Sequence, residues 1–215
     1  MTRNEADVSF ASAPPLVLKR RTIDSVLIAF GAVLTAALLV AGALLTWGAT
    51  FADDYVGDEL SSQNITFPPA AALEEEGRDD LVKYGDEFVD TGKEAEAYAS
   101  YIDGHLVGIA DGATYADLGT PERAAKAAVD AAKADGASEA EIAALQGEAD
   151  AISGQRNTLF KGETLRGLLL TAFAWSTVGR IAGYAALGAF IAGGLMFVLV
   201  LMGLRHHHKV VVQER

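Results

Sequence analysis

Apolar and polar positions fall into distinct regimes along the chain. Residues 25–48 and 181–204 are each two dozen positions without a charged side chain, enough at about 1.5 Å per residue to cross roughly 30 Å of hydrocarbon as helices. Their Leu, Val, Ala and Gly content suits a medium in which every backbone group must be satisfied internally. Both are read as transmembrane helices. Between them the pattern becomes helical and amphipathic. Phe51, Tyr55 and Leu60 continue the first helix past Trp47, which fits an interfacial aromatic belt. Phe67-Pro68-Pro69 then breaks it, so 61–69 reads as a linker or strap. A short acidic helix is expected over 70–84.

Three helix starts are better marked. Thr91-Gly92-Lys93-Glu94 has capping-box spacing and opens a helix to about Ala110, with Ala95, Tyr98, Ile102 and Ile109 on one face. Thr120-Pro121-Glu122 supplies an N-cap, a first-turn proline and an acid for the helix dipole, predicting a helix to about Ala134 that Gly136 closes. Ser138-Glu139-Ala140-Glu141 is another capping box, followed by a seam of Ile142, Leu145, Ala149, Ile152 and Leu159. The short loop between the last two predicts an antiparallel hairpin. Residues 165–180, with Leu168, Leu169, Phe173 and Trp175 between Arg166 and Arg180, read either as an interfacial elbow helix or as the outer end of one long helix.

The fold expectation is therefore all-α. It comprises a tail (1–24), a first span (25–48), an acidic helical domain (49–164), an elbow (165–180), a second span (181–204) and a second tail (205–215). Charge sets the orientation. Residues 49–179 hold 9 Lys and Arg against 25 Asp and Glu, out of a net −12 for the chain. Lys19, Arg20 and Arg21 precede the first span, and Arg205 and Lys209 follow the second. By the positive-inside rule both tails are cytoplasmic and the acidic domain lies across the cell membrane. The first apolar run is longer than the core of a cleaved signal, so it is expected to stay as an anchor.

Candidate chemistry is sparse. The chain has no cysteine, hence no disulfide or thiolate site. His105 is isolated near an apolar helix face and reads as a packed or interfacial histidine rather than a metal ligand, while His206-His207-His208, which point in different directions on a helix, read as a polar collar at the cytoplasmic interface. No phosphate-binding loop and no nucleophile with a base is legible. No charge interrupts either span, which argues against transport by this chain alone. No catalytic, cofactor or metal residue is assigned, and nucleic acid is not expected as a partner. Small residues do recur: Gly179, Gly183, Ala185, Ala189 and Gly193 in the second span, Gly31 and Thr35 in the first. They allow close helix approach, either between the two spans or against a partner's helices, and are also ordinary in Ala/Gly-rich membrane segments.

The runs Leu44-Leu45-Thr46-Trp47-Gly48-Ala49, Phe51-Ala52-Asp53-Asp54-Tyr55-Val56, Asn64-Ile65-Thr66-Phe67-Pro68, Tyr98-Ala99-Ser100-Tyr101-Ile102 and Thr158-Leu159-Phe160-Lys161-Gly162-Glu163-Thr164-Leu165-Arg166-Gly167-Leu168-Leu169-Leu170 resemble an actinobacterial family of two-span membrane proteins over most of the chain. Members carry the label of aromatic ring-opening dioxygenase subunits, whereas no iron set of two histidines and a carboxylate is legible here. In layout the chain is also similar to small accessory subunits of actinobacterial respiratory supercomplexes. That resemblance implies a non-catalytic accessory subunit, with other integral membrane subunits, cytochrome subunits and lipids as partners. An envelope sensor and a cell-envelope enzyme are the other classes, and the short tails lack any effector domain that a sensor would need.

Overall fold

The computed structural model describes residues 20–213, and side chains over 22–207. Among these the fold is helical throughout, with one isolated bridge, Thr66 to Phe88, in place of any sheet. Five α-helices follow in order: α1 (Arg20–Ser62), α2 (Ala70–Glu75), α3 (Gly92–Ile109), α4 (Gly119–Ala134) and α5 (Glu139–Gln213), with a 3-10 turn at Val82–Tyr84 after α2. Two of them, α1 and α5, are long and apolar enough to cross a membrane. Their most apolar windows are only 17% and 11% buried. A soluble core helix would hide most of such a surface, whereas here Leu27, Phe30, Val33, Leu187, Ile191, Leu195 and Met202 all point outward.

The chain divides into two units, residues 1–44 with 185–215, and residues 45–184. In the first, α1 and α5 run antiparallel. Residues turned inward recur every three or four positions: Ile28, Gly31, Thr35, Leu38 and Gly42 on α1, and Ala186, Ala189, Gly193, Met196, Val200 and Gly203 on α5. That is the 3.5-residue period of a left-handed coiled pair, with glycine at several of the closest points.

In the second unit a strap crosses the end of α1. The Phe67 amide donates to the Glu87 carbonyl (3.0 Å) and the Val89 amide to the Ile65 carbonyl (2.9 Å), tying 65–67 to 87–89. Phe67 is thereby buried, stacked on Tyr84 with ring centroids 5.2 Å apart and edge-on to Tyr98 at 5.1 Å. Around it close Val56 and Leu60 from α1, Ala95 and Ala99 from α3, Val89, and Leu169 from α5. Proline after Phe67 keeps the strap extended, so the ring enters the core without a helix to carry it.

α3 begins where the capping box predicts. The Glu94 amide donates to Thr91 Oγ1 (3.4 Å) while the Thr91 amide donates to Glu94 Oε2 (2.8 Å). Its first turn rests on α5 at Gly92, where a Cβ would collide with Ser176. α4 ends at Ala134, and Gly136 takes a left-handed φ of +72° to close it. Ser138 Oγ accepts from the Glu141 amide (3.3 Å) at the start of α5.

Three expectations need correction. The helix expected over 70–84 stops at Glu75, because Gly77 turns at φ +70° and three consecutive acids are poorly placed at a helix C-terminus; only the 3-10 turn follows. Thr120 does not cap α4. The helix starts at Gly119 after Leu118, with no side-chain cap, and the local hydrogen bonding is supplied earlier by Thr114 and Asp117, whose side chains each accept from the other's amide. Residues 165–180 are not a separate elbow helix. They are part of α5, which continues unbroken to Gln213 because nothing there, proline or turn residue, interrupts its backbone bonding.

Candidate functional site

The small-residue positions divide by unit. In the first, Gly31 is buried and a Cβ on it would come within 2.9 Å of Val200 Cγ2. Thr35 is buried with its hydroxyl donating to the Gly31 carbonyl at 2.8 Å, a back-bond that hides its polarity in an apolar helix. Gly193 is buried against Leu38 and Leu39, 3.4 and 3.3 Å from where its Cβ would be. Ala189 is half-buried on the same stripe, whereas Ala185 is exposed and its neighbour Ala186 is the buried residue. The four-residue steps assigned from sequence drift off a 3.5-residue stripe by one position there. In the second unit, Gly179 is buried against Ala52, and Gly183 is half-buried near Ala49. Of the residues assigned to topology, Arg205 is exposed, while Lys19 and the side chains of Arg20, Arg21 and Lys209 lie outside the described residues.

His105 is exposed, its ring 4.5 Å from that of Tyr101, its Nδ1 3.1 Å from the Tyr101 carbonyl and its Nε2 3.8 Å from Glu76. His206 is exposed and His207 half-buried, and the His208 side chain lies outside the described residues. Among the described residues no three His, Asp or Glu side chains come together to hold a metal.

Two polar clusters organise the second unit. In one, Glu122 on α4 accepts from Lys126 Nζ (2.7 Å), Ser153 Oγ (2.8 Å) and Arg156 Nη1 (2.6 Å). Those three bonds, Lys126 first, hold its carboxyl down at about 2. Arg156 also stacks over the Tyr115 ring at 4.0 Å and donates to the Tyr115 carbonyl, so one guanidinium ties α5 to both α4 and the loop before it. In the other, Arg166 pairs with Asp103 (3.4 Å) and Glu163 (3.2 Å), the two carboxylates lining a cleft of about 460 Å³ floored by Leu106 and Leu159. The acids of both clusters are committed to cations.

The remaining feature is an open groove of about 390 Å³ between the end of α1 and residues 165–175 of α5. Val56, Leu60, Leu169 and Ala172 form its floor. Tyr55, Glu59 and Gln63 stand on the α1 rim, Leu165, Leu168 and Trp175 on the α5 rim. Sequence periodicity could find the apolar run but not its sidedness, since that depends on where α3 packs.

The Glu122 cluster generates a pH dependence. A carboxyl held below its unfolded value contributes stability above that value, and the contribution is lost as pH falls toward the folded one. The melting-temperature difference between the native protein and Glu122→Gln should be full at pH 7, shrink below about pH 4.3, the unperturbed glutamate value, and vanish near 2, as read by circular dichroism in detergent; an unchanged difference at pH 2 would contradict the assignment. The stripe gives a second test. Gly193→Leu should lower the chain's abundance in membranes several-fold by overpacking, whereas Ala185→Leu, on the exposed side, should leave it at the native level in quantitative immunoblots; equal levels of both variants would count against the pairing.

Comparison with protein-family models, with curated proteins and with solved structures finds no match to this chain.

Proposed function

We propose that this chain is a two-pass membrane protein with both tails in the cytoplasm and an acidic helical domain across the membrane, serving as a non-catalytic accessory subunit of a larger membrane complex. The observation that carries this reading is the bare apolar side of α5 between Arg166 and Arg180. Leu168 is 65% and Trp175 57% exposed, on a stretch of α5 with no charge between Arg166 and Arg180. Such a patch on a helical domain marks a surface that another protein covers. The polar clusters support a structural role, because Glu122, Asp103 and Glu163 are held by Arg156, Lys126 and Arg166 rather than left free for acid-base work. α4 and the first turns of α5 act as an antiparallel hairpin clasped by the Glu122–Arg156 pair. The excess of 25 acids over 9 bases in residues 49–179 favours a basic partner by long-range steering that salt screens.

A respiratory cytochrome assembly is the first candidate complex, on the resemblance in layout to accessory subunits of such assemblies. Purification in mild detergent should recover other integral membrane subunits in constant ratio, with cytochrome haem bands in the spectrum. A chain that elutes alone in every mild detergent would sink the accessory-subunit reading, and a complex lacking haem would remove the respiratory assignment. For orientation, a cysteine introduced at Ser138 should react with an impermeant thiol reagent in intact cells, and protection of that position would reverse the assigned topology.

A further inference from the structure

In residues 45–184, the paired stretches of α1 and α5 are covered where the first turn of α3 meets α5 at Phe173 and Ser176, Leu106 lies over Gly162, and the strap closes on Val56 and Leu60. The open groove lies beside this cover, with Val56, Leu60 and Leu169 shared between them, and its two rims differ in character. The α5 rim is apolar through Leu165, Leu168 and Trp175, continued by exposed Val178, with no charged residue between Arg166 and Arg180. The α1 rim is acidic. Glu59 stands there between Tyr55 and Gln63, and among the described residues it has no cation within 4.0 Å. Most acids of the unit are likewise without a cation, and what sets Glu59 apart is its place on the lip of an apolar groove.

Hydrocarbon does not account for this surface. Residues 25–52 of α1 give 28 uncharged positions, about 42 Å of helix, and 181–204 of α5 give about 36 Å, against a hydrocarbon thickness of roughly 30 Å. Both helices complete a span before Asp53 and Arg180, and every groove residue lies beyond those charges in sequence. A phosphate-bearing lipid headgroup seated there would also meet the Glu59 carboxylate, and like charge disfavours it.

We infer that the groove is the seat of a single α-helix from another subunit of the complex, apolar along the edge that meets Leu165, Leu168 and Trp175, and carrying Lys or Arg along the edge that meets Glu59. The inference rests on the accessory-subunit reading and names the kind of partner. Two adjacent helices present a furrow parallel to their axes, the surface into which a third helix packs by ridges and grooves. The apolar rim from Leu165 to Val178 runs about 20 Å, close to four turns, which fixes the length of the partner's contact. A basic side chain beside Glu59 would form the ion pair that α1 lacks, in surroundings partly shielded from water, where such a pair sets partner choice.

A photo-crosslinking residue placed at Leu168 of the full-length chain, in membranes of cells that naturally make it, tests the seat directly. Peptide mapping of the cross-linked product should identify one other membrane subunit, at a segment of helical periodicity with apolar residues on one edge and Lys or Arg at one-turn spacing on the next. Glu59→Lys should lower the yield at least fivefold while the chain's abundance stays unchanged, and the same probe at exposed Asp150 should give no such product. Cross-links to lipid alone, to a second copy of this chain, or with a yield indifferent to Glu59→Lys would overturn the proposal. If the chain still copurifies with its complex but Leu168 captures nothing, the groove is wrong and the accessory-subunit reading stands; if copurification fails as well, that reading falls with it.

Discussion

Glycine-distance contact between α1 and α5 is the constraint on which the rest is built. Where hydrocarbon removes the hydrophobic drive between helices, association rests on how closely their surfaces can pack. Gly31 against Val200 and Gly193 against Leu38 and Leu39 supply that closeness in one unit, and Gly179 against Ala52 in the other. The 3.5-residue period keeps the small residues on a stripe that does not wander around the helix. Thr35 fits it because its hydroxyl bonds to its own helix at the Gly31 carbonyl. Only with the two helices held as a pair does residue 45–184 have a floor, formed by Val56, Leu60 and Leu169, on which the strap and α3 close.

Polar contacts then fasten what the apolar core leaves loose. Tertiary hydrogen bonds and ion pairs in this unit draw on few cations: Arg78 binds the Ser100 carbonyl and hydroxyl, Arg156 binds Glu122 and Tyr115, and Arg166 binds Asp103. With so many acids available, the position of each arginine decides which surfaces are joined. The acids without a cation remain on the surface, and of these Glu59 lines the apolar groove.

Much of the local architecture was legible in the sequence because its signals are short-range. The Thr91–Glu94 box specifies its helix start with two reciprocal hydrogen bonds, and the glycine at 136 takes the left-handed conformation that ends a helix. Two apolar runs of bilayer length needed no tertiary information. What failed depended on phase or on packing. Thr120 has the right chemistry for a cap, yet Thr114 and Asp117 bond first and start the turn earlier. Ala185 was assigned by four-residue steps, and a 3.5-residue stripe puts Ala186 inside instead. His105 sits one position before the buried Leu106, at the edge of the apolar face of α3, so whether it packs or lies at an interface could not be read from spacing alone. The groove was invisible for a related reason: an apolar run shows that a helix will be covered, and only the placement of α3 shows which side is not.

The aromatic inventory has a consequence for optical work on this molecule. Its two tryptophans, Trp47 and Trp175, are both well exposed, whereas the rings that pack against the core are Phe67, Tyr84 and Tyr98. Trp47 stacks on Phe51 along α1, and Trp175 stands on the groove rim. Intrinsic indole emission therefore monitors the medium and the occupancy of these outer surfaces, and a change of detergent can move it with the interior intact. Loss of the tightly packed interior registers in the tyrosine bands of the near-ultraviolet circular dichroism, so the two signals separate what surrounds the protein from what holds it folded.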